Sequence, residues 1–184
     1  NLAMVADSVA FLKQNGREVV FDAEHFFDGF RADSAYALAV VKAVAAAGAD
    51  CITLCDTNGG SLPSTIAQVV GVVRKAVATP LGIRPHNDSD VAVANAFAAV
   101  EAGCTQVQGT MNGHGARTGN ANLITVVAPL QLQYGWPLVP AAALAEATRI
   151  SHAIAGVTNV AMNNRQPDVG ASAFAHKAGL HASA

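Results

Sequence analysis

Residues 81–123 read LGIRPHNDSDVAVANAFAAVEAGCTQVQGTMNGHGARTGNANL. A short apolar run, 81–85, ends in a polar cluster, His86-Asn87-Asp88. An Ala- and Val-rich segment, 91–102, then has helical character and stops at Gly103. A short strand candidate, 106–110, leads into the glycine-rich loop Asn112-Gly113-His114-Gly115-Ala116-Arg117-Thr118-Gly119-Asn120. A strand, a helix and another strand at this spacing make a βαβ unit, and such units build a parallel sheet. Polar groups gathered at the carboxyl ends of consecutive strands mark the face on which a parallel α/β barrel carries its site.

The same unit recurs on both sides. Residues 18–24 (EVVFDAE) have the composition of a strand, and 34–47 that of a helix ending at Gly48. Residues 51–56 (CITLCD) form a further strand candidate, followed by the loop Thr57-Asn58-Gly59-Gly60-Ser61-Leu62. Pro63, a favoured first helical residue, opens the next helix. A helix is expected from about Gly119 to Tyr134, another over 2–14 and another over 141–154, with a loop-rich segment over 163–184. Four such units make half of a (β/α)₈ barrel, which typically takes ~250 residues. They fit either a small open α/β sheet or the second half of a longer barrel. The helical and loop-rich tail supports the second. The expected organisation is therefore a partial barrel over 1–135 and a truncated helical linker subdomain over 136–184.

Composition limits the partners. The 184 residues carry a net charge of −2 and no basic runs, which argues against nucleic acid. No apolar run reaches the ~18 residues needed to span a membrane. Cys51, Cys55 and Cys104 are an odd number without zinc-ribbon spacing, and read as reduced, buried thiols of a cytoplasmic protein. His114 is expected to be a solvated loop residue.

Four stretches carry a family resemblance: FDAEHFFDGF (21–30), LCDTNGGSLP (54–63), residues 86–123 and NRQPDVGASAFAHKAGLHASA (164–184). In this order they resemble the citramalate synthase and 2-isopropylmalate synthase family, in the form of the citramalate synthase branch. The resemblance implies an α/β fold, with the chain covering about strands 5–8 of a TIM (β/α)₈ barrel and the start of a linker subdomain. It implies a divalent metal (Mg²⁺ or Mn²⁺, with Zn²⁺ as a further candidate), acetyl-CoA as co-substrate, a 2-oxo acid as acceptor and a homodimer. The chemistry is a Claisen-type condensation followed by thioester hydrolysis. A hard cation polarises the 2-oxo carbonyl, and a base takes a proton from the acetyl methyl group.

The resemblance also assigns residues. His86 becomes a metal ligand, and Asn120 either lies near the metal or caps the following helix. Glu24 becomes a catalytic or orienting carboxylate, or else part of a salt bridge at the barrel rim shared with Asp22. Thr57 contacts the substrate carboxylate or simply serves turn chemistry, with Asn58 and Arg117 beside it in the substrate-binding set. His181 becomes an acid–base group from the linker. Asp88 either bonds the ligand histidine or caps the helix after it.

Five positions depart from the family pattern, one of them Ala178, where glycine is common. Arg84 stands where the family has the first histidine of His-x-His-Asn-Asp, and arginine cannot ligate a cation. Ala116 stands in place of the glutamate of Gly-x-Gly-Glu-Arg-x-Gly-Asn, Asp90 in place of a glycine and Asp168 in place of an aromatic. Two other readings follow from these departures and from the shared barrel. One is a catalytically impaired homologue that keeps the fold; the other is a metal-dependent acyl-CoA lyase on the same barrel.

Overall fold

The computed structural model describes residues 1–175. Two compact units result, residues 1–109 with 115–121, and residues 110–114 with 122 onward. The first unit holds the sheet: β1 (Val20–Ala23), β2 (Cys51–Asp56), β3 (Leu81–Pro85) and β4 (Gln106–Val107), all parallel and in the order β1-β2-β3-β4. Its helices are α1 (Leu2–Gln14), α2 (Phe26–Ala32), α3 (Ser34–Ala46), α4 (Pro63–Ala76) and α5 (Ala92–Glu101). The βαβ reading of the sequence thus holds, and the sheet is parallel throughout.

The helices form for local reasons. Asp33 caps α3 by accepting from the Tyr36 amide at 2.9 Å, and Ala37, Val41 and Val44 bury one stripe of that helix. Pro63 opens α4 as expected, and Ile66, Val69, Val70 and Val73, at helical spacing, are all buried. One segment escaped the sequence reading. Residues 26–32 form α2, whose Phe26 and Phe27 pack edge-to-face in the core.

The register separates the two faces of the sheet. Ala23, Leu54, Ile83 and Val107 lie side by side in one row, in the core beneath the helices. Burying each large aliphatic of this kind contributes about 1.5–3 kcal/mol. The adjacent row is Asp22, Thr53, Gly82 and Gln106, on the opposite face because side chains alternate along a strand. Cys55 and Arg84 follow in register one pleat nearer the carboxyl ends. One face is therefore aliphatic, and the other carries charged and amide groups.

The second unit consists of a 3₁₀ turn (Met111–Gly113), α6 (Leu123–Leu132), α7 (Ala141–Ala145) and α8 (Ala147–Thr158). Two sequence expectations are corrected here. The helix expected from Gly119 begins at Leu123, because Gly119 is left-handed (φ 94°) and Asn122 is the capping residue, accepting from the Ile124 amide at 3.2 Å. The helix expected over 141–154 is two helices meeting at Glu146. Among the described residues no helix is long and apolar enough to cross a membrane.

Candidate active site

Asp22 and Glu24 lie two residues apart at the end of β1 and share a face. Arg84 reaches them from β3. Its Nη1 donates to Asp22 Oδ2 at 2.9 Å, and its Nη2 donates to Glu24 Oε1. The remaining carboxylate oxygens are also taken. Gln108 Nε2 donates to Asp22 Oδ1 at 2.8 Å, and the Thr57 hydroxyl donates to Glu24 Oε2 at 2.8 Å. The same hydroxyl accepts from the His25 amide at 2.8 Å, so Thr57 fixes both the carboxylate and the turn after β1. Partial burial works to raise the pKa of Glu24, but the Thr57 hydroxyl and the Arg84 guanidinium outweigh it and hold the carboxyl below its usual value. Of the two readings of Glu24, the rim salt bridge is present. A carboxylate stabilised in this way is a weakened base toward a carbon acid.

The polar row below has its own order. Thr53, fully buried, donates to Gln106 Oε1 at 2.9 Å and accepts from Gln108 Nε2 at 3.1 Å. This bridge passes over Gly82, where an added Cβ would stand 2.7 Å from Gln106 Oε1 and 2.8 Å from Thr53 Oγ1. Sequence reasoning missed Thr53, Gln106 and Gln108. Their strand parity relative to Asp22 was the signal that could have found them.

The loops above the strands are held to one another. Arg117 grips Asp88 in a two-pronged ion pair, both contacts at 2.7 Å, and also donates to the Thr57 carbonyl at 2.7 Å. Asp88 therefore bonds neither the histidine nor the helix. Asn87 takes over the helix end, its Oδ1 accepting from the Ala92 amide at 3.0 Å. Asp56, almost fully buried, accepts from the amide and hydroxyl of Ser61, and Asn95 on α5 donates to the Ser61 carbonyl at 2.8 Å. Burial raises the Asp56 pKa against those bonds. Asn58 donates to Asp28 at 2.8 Å, on the outer side toward α2.

His86 is 8% exposed, and among the described residues its Nδ1 has no partner. It forms an isolated antiparallel bridge with Asn120, so the structure brings these two together. Asn120 does not cap a helix; its Oδ1 seats against Gly115, where a Cβ would collide with it. Asp90 takes a left-handed conformation (φ 57°), which explains in backbone terms why glycine suits that position. His114, expected to be solvated, has its Nε2 buried without a partner. Burial pushes the Cys55 and Cys104 thiols up to about 12, and all three cysteines are free and buried. His181 lies outside the described residues.

The chain can now be set beside known proteins. The HMGL-like family model matches residues 2–157. The (R)-citramalate synthase of Streptomyces coelicolor is 58% identical over the whole chain, which covers 34% of that relative. A 2-isopropylmalate synthase of Methanocaldococcus jannaschii is 37% identical over 97% of the chain and is likewise covered over 34% of its length. The chain thus spans about a third of the length of the curated relatives it matches. Among solved structures, the carboxyl transferase domain of Rhizobium etli pyruvate carboxylase superimposes with a TM-score of 0.68 at 23% identity, over 84% of this chain and 26% of that one; this likeness concerns the fold. A TIM-barrel type of parallel sheet, matched over most of its length by one family model, places the chain in the HMGL-like family, beside the citramalate and 2-isopropylmalate synthases.

Proposed function

We propose that the protein to which this chain belongs is a citramalate synthase-type acyltransferase. It joins the acetyl group of acetyl-CoA to a 2-oxo acid, pyruvate, and hydrolyses the thioester, as a step of branched-chain (isoleucine or leucine) amino-acid biosynthesis. The carrying observation is the identity of 58% along the whole chain to a citramalate synthase. In this reading the protein is a cytoplasmic homodimer whose partners are small molecules, and residues 136–184 begin a linker that follows the barrel.

The side chains take the following parts. Thr57 contacts a substrate carboxylate by turning its hydroxyl from Glu24 to the ligand, and Asn58 lines the same turn. Arg117 closes the loop over that turn through Asp88. Glu24 is the catalytic or orienting carboxylate near the reacting carbons, and His181 is the acid–base group supplied by the linker. His86 and Asn120 are the donors that this chain offers a divalent cation such as Mg²⁺, Mn²⁺ or Zn²⁺. The residues present do not complete such a site. A hard cation prefers oxygen ligands, carboxylates above all, and the carboxylates that act electrostatically on His86, Asp56 and Asp88, are already bonded to Ser61 and Arg117. The His86 Nδ1, buried and without a partner among the described residues, fits a ligand role.

That misfit favours a second reading, a catalytically impaired relative that keeps the fold. Thiol release from acetyl-CoA, measured with pyruvate and Mn²⁺ or Mg²⁺ on the intact protein and on its Arg84→His variant, separates the two. Release by the unmodified protein supports the acyltransferase. Release only after Arg84→His identifies a disabled synthase. No release from either variant removes the synthase reading from this protein.

A further inference from the structure

Among the described residues, one group of side chains with metal-ligand chemistry lies within mutual reach: Asp22, Glu24 and Cys55, whose donor atoms lie within 4.8 Å of one another. Arg84 enters this group. One guanidinium nitrogen is spent on each carboxylate, while Gln108 and Thr57 take the two oxygens left over. Every carboxylate oxygen in the cluster therefore has a donor before any ion arrives. Two negative charges face one positive charge that no ordinary pH removes, so the cluster offers an incoming cation a net charge of about −1 in place of −2. A divalent ion would have to displace a two-pronged charge-assisted bond and then sit beside the displaced guanidinium.

We infer that Arg84 is the resident cation of this site: its guanidinium bridges Asp22 and Glu24 where a divalent ion would otherwise be held, and it keeps metal out of that cluster. This departs from the metal-dependent chemistry of the family resemblance, and it does not rest on the condensation reaction.

The test is Mn²⁺ binding by the intact protein, read from the electron paramagnetic resonance of the free ion. The wild type is compared with Arg84→Met and with Arg84→Met carrying Asp22→Asn. Removing a fixed charge from beside the carboxylates is expected to tighten Mn²⁺ binding roughly tenfold or more. Asp22→Asn is expected to abolish that gain. Equal affinity in wild type and Arg84→Met, or a gain that survives Asp22→Asn, overturns the inference. Circular dichroism checks that the variants fold, and Arg84→Gln takes the place of Arg84→Met should the latter fail. Because binding is read directly, a protein silent toward acetyl-CoA decides the question just as well.

Discussion

Gly82→Ala is a small change with a calculable effect. Gly82 sits on β3 between Thr53 and Gln106, and its backbone is extended, so alanine meets no conformational penalty there. The obstruction is steric, with the new Cβ 2.7 Å from Gln106 Oε1, 2.8 Å from Thr53 Oγ1 and 3.3 Å from Gln106 Cβ. Gln106 can swing away, but its Oε1 is the acceptor for the fully buried Thr53 hydroxyl. Losing that bond costs about 1 kcal/mol, and a buried hydroxyl without its acceptor adds about 1 more. Restricting the unfolded chain by replacing glycine returns about 0.4–1 kcal/mol. The net expectation is a loss of about 1–2 kcal/mol. Urea denaturation followed by circular dichroism measures it, with an unchanged m-value. The cycle with Gln106→Ala makes the test specific, because once the amide is gone both losses are already incurred and the Gly82→Ala penalty should largely disappear. A penalty of the same size in both backgrounds, or none in either, refutes the account of Gly82 as the gap that admits the Thr53–Gln106 bridge.

Three further outcomes are expected. The folded pKa of Glu24 lies below its ordinary 4.5, so its stabilisation is complete above 4.5 and is lost as pH falls through the lower folded value. Glu24→Gln should therefore destabilise the protein at neutral pH and progressively less in acid, which urea titrations across that window would show; a gap that grows in acid contradicts the ion pair. Asp33→Ala removes the oxygen that caps α3 and should cost about 1 kcal/mol in the same denaturation assay, whereas an unchanged midpoint would mean that the cap is idle. Cys55 and Cys104, with pKa values pushed up to about 12, should resist iodoacetamide in the native protein and react once it is unfolded. Mass spectrometry reads the labelling, and rapid native alkylation of either would refute their burial.

The fold was legible where periodicity and punctuation agree. β2 and β3 match their sequence ranges, and Pro63 and Gly103 stand where helices begin and end. Element ends decided by a single backbone angle or cap were not legible. Gly119 and Asn122 delayed α6, and no composition rule distinguishes Asn122 from Asn120 as the cap. In the candidate site, the pairing of His86 with Asn120 and the proximity of Glu24 to Thr57 agree with the residues singled out. The grip of Arg117 on Asp88 and of Arg84 on two carboxylates depends on which long side chain reaches which acid. That is a property of three dimensions, and a linear sequence does not carry it.

The sequential order of the sheet bears on how the chain is made. Val20 meets Cys51, Ile52 meets Leu81 and Gly82 meets Gln106, so each strand finds its neighbour in the next one synthesised. At ordinary translation speeds, successive strands leave the ribosome within roughly a few seconds of each other. Within this chain, β1 and β2 can join before β3 exists. The Arg84 bridge is the exception in kind. It reaches back past β2 to β1, so the charge that neutralises Asp22 and Glu24 arrives one strand late, and until then two carboxylates stand together on the nascent sheet.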